Sequence, residues 1–142
     1  MPVITLFFAA AAALVNMWLG IRCGQVRAKE KILHGDGGNT LLQQRMRAHL
    51  NFAENAPLIL ILTLALELAG VSSMVLEIIA VAFIVARILH GLGMDSATGS
   101  PLRGAGVAIT MLVTVVLVGL ALYTGYNLLG TLTPADSIGS HV

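Results

Sequence analysis

Four long apolar stretches restrict the fold of this chain more than any other feature in it. The first, VITLFFAAAAALVNMWLGI from Val3 to Ile21, has nineteen residues. At about 1.5 Å per residue, a helix of that length crosses the roughly 30 Å hydrocarbon core of a bilayer. Three further stretches follow, over about 41–69, 74–90 and 103–129. The chain is 57% hydrophobic and 11% charged, with mean hydropathy +0.90. A soluble domain carries about 25% charged residues. The expected fold class is an all-α membrane protein, a bundle of four transmembrane helices forming a single domain over 1–142. No basic segment precedes the first stretch, and the basic residues follow it. A retained span is therefore expected, not a signal peptide. Cys23 is the only cysteine, which excludes an intrachain disulfide. Arg22 stands before it where lipoprotein processing needs a small residue.

The charges set the expected orientation. All eight Lys and Arg lie in the one-to-two and three-to-four connections or at the adjoining helix ends. The two-to-three turn and both termini carry none. The positive-inside rule then places those two connections in the cytoplasm and both termini outside. Residues 22–46 read as a polar connection whose HGDGGNT run is a loop, and Gly91 to Pro101 reads as a second loop. Glu67 and Glu77 fall at the far interface, where Glu67 is expected to meet headgroups. Asn16, alone inside the first span, is expected to hydrogen-bond to another helix. Gly104, Gly106, Gly119 and Gly125 suit close helix packing, and Pro57 sits inside helix two. The tail from Thr131 to Val142 is polar and expected to be mobile.

One stretch at the cytoplasmic end carries chemistry. In RMRAHLNFAENAP, from Arg45 to Pro57, Arg47, Asn51 and Glu54 are spaced i, i+4, i+7. They share an arc of about 60° on one helix face. A charge carried into hydrocarbon costs on the order of 3 kcal/mol or more without a partner or water. The stripe is thus either a ligand site or a polar knot that pins helix packing. The topology adds Arg27, Arg87, Arg103, His49 and His90 to the same membrane face. Arginine forks bind carboxylates bidentately, and Glu54 can accept from an ammonium group. The set suits a small zwitterionic ligand with more than one carboxylate, next to apolar grooves for a lipophilic molecule. Metal is not expected, because no Cys or carboxylate spacing supports the histidines. Nucleic acid is not expected either, since no basic stripe with aromatics is present.

RAHLNFAEN, Arg47 to Asn55, resembles the helix-two signature of the MAPEG family, the membrane-associated proteins in eicosanoid and glutathione metabolism. GQVR at Gly24 to Arg27, the Arg87-x-x-His90 pair and PLR at Pro101 to Arg103 fall in the family's order, so the resemblance covers nearly the whole chain. The length and the Glu54-x-x-Pro57 spacing look like a bacterial member, which implies the bacterial inner membrane. The resemblance implies a homotrimer with glutathione as co-substrate, bound at subunit interfaces near the cytoplasmic face. It implies that Arg47, Asn51, Glu54 and Asn55 hold glutathione, with Arg87 and His90 in the same pocket. Arg27 and His49 would reach glutathione from the neighbouring subunit. Arg103 would be catalytic, stabilising the thiolate that is the nucleophile. Two positions depart from the pattern. Many members carry tyrosines where this chain has Asn55 and Met94.

The expected function is a membrane-bound glutathione transferase, with possible peroxidase activity, acting on lipophilic electrophiles drawn from the bilayer. The alternative is a non-catalytic trimer that binds glutathione, another thiol or lipid headgroups. A small proton-coupled exporter would want an isolated carboxylate in its first span, and helix one has none.

Overall fold

A computed structural model describes residues 1–96 and 98–132 of the chain. Four helices account for nearly all of them: α1 Val3–Glu30, α2 Thr40–Leu68, α3 Ser73–Gly93 and α4 Pro101–Leu132. Each is long and apolar enough to cross a membrane. The expected polar tail lies, from residue 133 on, outside the described residues.

Two helices run past their apolar segments. α1 does not end at Ile21 but continues nine residues into the expected connection. Between Arg22 and Glu30 only Gly24 disfavours a helix, and Arg27 and Lys29 in the last turn complement the helix dipole. The helix stops where Lys31 turns left-handed at φ 56°. A short glycine-rich loop follows, and the Asn39 side chain caps α2 by accepting from Leu42 N–H at 2.9 Å. α3 likewise continues through Gly91 to Gly93, residues expected in a loop. Membrane span and helix are therefore different lengths at the cationic end, and the excess of α1 carries Arg22 and Arg27.

The helices pack in a ring, α1 against α2, α2 against α4, α4 against α3 and α3 against α1. α2 also meets α3 across the diagonal, while α1 and α4 do not meet among the described residues. Phe83 of α3 is wholly buried at the centre. Its ring lies edge-on to Phe8 of α1 at 5.7 Å and tilted against Phe52 of α2 at 6.3 Å. The outside is apolar as well: Leu6, Leu58, Ile78 and Leu122 are all more than half exposed. Such a surface fits lipid or further protein, not water.

α3 and α4 form the tightest pair. A Cβ placed on Gly106 would come within 2.6 Å of the Ala86 carbonyl and 2.7 Å of His90 Cβ. One on Gly93 would overlap the backbone of Arg103. Of the four helix-four glycines expected to serve packing, only Gly106 does so within the chain; Gly104, Gly119 and Gly125 face open space. At the far end Glu67 has a different role from the expected one. Its carboxylate accepts from Ile4 N–H at 2.8 Å, Thr5 N–H at 2.8 Å and the Thr5 hydroxyl at 2.6 Å. It caps the N-terminus of α1, where unpaired amides and the helix dipole favour an anion.

Candidate functional site

The cationic end holds three separate polar groups. The first is centred on Arg87, which is 1% exposed on α3. Its Nη2 donates to Asn51 Oδ1 at 2.6 Å and to His90 Nδ1 at 3.1 Å. Its Nη1 donates to the Thr110 hydroxyl at 3.2 Å, which donates in turn to the Gly106 carbonyl at 2.8 Å. Its Nε is buried with no partner. Since arginine only donates, His90 Nδ1 must accept, and the ring is neutral with its proton on Nε2. That N–H has no partner among the described residues. The group ties α2, α3 and α4 together and fixes the Asn51 side chain. Arg87 and His90, expected to line the pocket, thus sit behind Asn51, inside the bundle.

Around Asn51 the remaining site residues are open. Arg47, Glu54 and Arg103 are exposed and make no hydrogen bond or ion pair among the described residues. Asn55 is half-buried, and its amide donates back to the Asn51 carbonyl at 2.8 Å. Met94 is buried at the end of α3.

The second group lies on the other side of α2. His49 and Asn51 are two residues apart, hence about 200° apart around the helix. His49 Nε2 donates to Asn16 Oδ1 of α1 at 2.9 Å, which is the interhelical bond expected of Asn16. His49 and Arg27, with Cys23 and Met46, line an α1–α2 cavity of about 510 Å³. Arg27 Nη2 reaches only Met46 Sδ, at 3.5 Å. The cavity adjoins an apolar groove of about 350 Å³ between the same helices, the two sharing Ala53. Arg27 and His49 therefore do not meet the Asn51 group within one chain.

The third group was not anticipated. Asp95, in the connection between α3 and α4, accepts from Arg22 at 2.6 Å and from both Nε and Nη2 of Arg45, at 3.1 and 2.9 Å. Arg22 also donates to the Gly91 carbonyl at 2.8 Å and stacks over Trp18 at 4.7 Å. Arg45 Nη1 donates to the Arg22 carbonyl at 2.9 Å. Burial alone would raise the Asp95 pKa. The bonds from Arg45 and Arg22, and the charges of both, outweigh it and hold the carboxyl below its ordinary range. Neither Arg22 nor Arg45 is a candidate site residue by sequence. The available signal was that Asp95 is the sole carboxylate in the stretch from Gly91 to Pro101.

Four membrane-length helices, with arginine-rich polar groups at one end and apolar grooves beside them, define an integral membrane protein. The chain matches the sequence profile of the MAPEG family over residues 5–123 and belongs to that family. It is also similar to the inner membrane protein YecN of Escherichia coli strain K12 and of Escherichia coli O6:H1 strain CFT073. Identity is 27% over 90 residues in each case, covering 63% of this chain and 69% of the relative.

Proposed function

We propose that the protein is a glutathione transferase of the bacterial inner membrane, acting as a homotrimer on lipophilic electrophiles. The observation that carries this reading is the state of the helix-two stripe. Asn51 is fixed from behind by Arg87, while Arg47 and Glu54 on the same helix face, and Arg103 in the first turn of α4, have no side-chain partner among the described residues. Unpaired guanidinium groups and a carboxylate next to hydrocarbon are costly unless a ligand or a neighbouring subunit answers them. Glutathione, with two carboxylates and one ammonium group, has the complementary charges.

A trimer accounts for the split of the site residues. Arg27 and His49 face away from Asn51 and Glu54 on α2, so one ligand meets both sets only between two copies. The orientation that follows from the basic residues opens this end to the cytoplasm, where glutathione is dissolved.

In this mechanism glutathione gives its thiol proton to water, and Arg103 favours the thiolate that remains. The sulfur lone pair forms an S–C bond with a bilayer-dissolved electrophile. The leaving group departs with its electron pair or, for a conjugated acceptor, a proton from water completes the addition. Attack of the same thiolate on a lipid hydroperoxide would begin peroxidase chemistry. The second reading, a trimer that binds without catalysis, draws on Met94 and Asn55. Met94 offers no phenol, and the Asn55 amide is bonded to its own helix.

The test is a glutathione titration of the detergent-purified protein, followed by thiolate absorbance. A saturable thiolate signal at neutral pH with turnover of a lipophilic electrophile is expected. Saturable binding of glutathione without thiolate or product would favour the second reading, and no binding at all would end both glutathione readings.

A further inference from the structure

We infer that Asp95 is a positioning residue for Arg103, setting how strongly the site stabilises the glutathione thiolate; the inference rests on the transferase reading above. Asp95 lies two residues beyond Gly93, and Gly93 sits directly against the backbone of Arg103 in the first turn of α4. Nothing larger than glycine fits between them. The place of Arg103 is therefore set by where the end of α3 and the connection after it are held.

Asp95 holds them, together with Gln44 of α2, whose amide donates to the Ser96 carbonyl at 3.2 Å. The Asp95 carboxylate is bound by Arg22 of α1 and Arg45 of α2, and Arg22 also grips the Gly91 carbonyl near the end of α3. Arg22 is five residues before Arg27 on α1, and Arg45 is two before Arg47 on α2. One carboxylate thus fastens the base of α4 to the two helices that carry Arg27 and Arg47. Both arginines are already engaged by Asp95 and by backbone carbonyls, so neither is a free ligand group. Their contribution to the reaction passes through Asp95 and the α3–α4 connection. Arg103 has no side-chain partner of its own among the described residues. Its backbone setting is what aims it.

The charge and positioning effects of Asp95 have opposite signs, which makes them separable. Replacing Asp95 by asparagine leaves Arg22 and Arg45 without their anion and makes this end more positive. Charge alone would then lower the pKa of a bound thiol. Displacement of Arg103 would raise it. The experiment measures the pKa of bound glutathione by thiolate absorbance in the full chain, for the native protein, D95N, R45K and D95E. Affinity for an S-alkyl glutathione, which has no thiol, is measured beside it. The expected result for D95N is a rise in thiolate pKa of about one unit, with about threefold slower turnover at neutral pH, S-alkyl glutathione affinity within about threefold, and recovery in D95E. R45K keeps the charge and loses the two-pronged grip, so it also raises the pKa. It decides the question if D95N does not fold. An unchanged or lowered pKa in the folded variants overturns the inference.

Amide hydrogen exchange without any ligand separates failure of this inference from failure of the transferase reading. Faster exchange in the first turns of α4, and not around Tyr123, is expected in D95N and R45K. If the native protein binds neither glutathione nor its S-alkyl derivative, the transferase reading fails and takes the thiolate role with it. If glutathione binds as expected and α4 exchange is unaltered, only the Asp95 role fails.

Discussion

Arg22 and Arg87 are both buried, 7% and 1% exposed, yet they are accommodated in opposite ways. Arg22 has a carboxylate at 2.6 Å, an aromatic face and a backbone carbonyl. Arg87 has three neutral partners and one orphaned nitrogen, and no carboxylate within 4 Å among the described residues. The first charge has a counter-charge inside the chain, a carboxylate that it shares with Arg45. The second is left standing directly behind Asn51, where the open groups of helix two begin. A folding contact tends to be completed by the chain itself. A guanidinium kept at this depth without a counter-charge is expensive, and an anionic ligand or a neighbouring subunit would relieve it. The contrast places Arg22 in the architecture; under the proposed function, Arg87 would serve the site.

The largest expected effect tests the architectural half. Replacing Asp95 by leucine strands Arg22 as a buried cation and cuts the tie between three helices. Breaking a fully buried pair costs about 3–5 kcal/mol. The Asp95 side chain is 31% exposed, so the expected loss is smaller, about 2–3 kcal/mol. Reversible unfolding in mixed micelles measures it. A loss under about half a kcal/mol would put Arg22 and Arg87 in one class after all.

Next comes the site half. Arg87→Met removes a buried charge that has no ionic partner, and the methionine fills much of the space. The expected stability change is within about 1 kcal/mol, because lost hydrogen bonds are offset by the desolvation cost removed. Glutathione affinity is expected to fall about tenfold as Asn51 loses its anchor and the field weakens. Calorimetric titration beside the unfolding curve checks both. Large destabilisation with unaltered affinity would reverse the assignment.

Acid also separates the two arginines. The folded pKa of Asp95 is depressed, so its stabilising contribution is complete above the ordinary carboxylate value, about 3.9, and is lost as pH falls below it. The melting temperature of the native protein should drop more steeply below about pH 4 than that of D95N. Arg87 has no carboxylate partner among the described residues, so no contribution to that slope is expected from it. Equal slopes would mean that Asp95 carries no coupling between pH and folding.

How far the sequence could anticipate these assignments depended on whether the feature was periodic. The four spans, the basic bias of one end and the 60° stripe of Arg47, Asn51 and Glu54 all follow from local spacing. The end of α1 did not, because hydropathy marks where lipid stops and not where a helix stops. The Asp95 clasp was hidden for another reason. It joins residues from three separated segments, and the carboxylate sits in a loop read by its glycines. Arg87 stood in the expected site, but spacing alone could not place it behind Asn51. The opposite placement of His49 and Asn51 around α2 was implicit in their two-residue separation, and it became meaningful once α1 was seen to cover only the His49 side.

The smallest expected effect concerns that side. Asn16 is exposed within the chain, at the middle of a membrane-spanning helix, and its Oδ1 is held by His49. Interhelical polar bonds in membrane proteins are worth about 0.6 kcal/mol on average. Asn16→Ala should therefore cost about that much stability. It also frees His49 to rotate within the cavity it shares with Arg27. If this cavity serves a ligand held mainly by the neighbouring copy, glutathione affinity should fall by about two- to threefold, less than in Arg87→Met. A larger loss than that of Arg87→Met would make His49 and Arg27 the principal binding groups. The open stripe of Arg47, Glu54 and Arg103 would then be better explained as a contact between subunits.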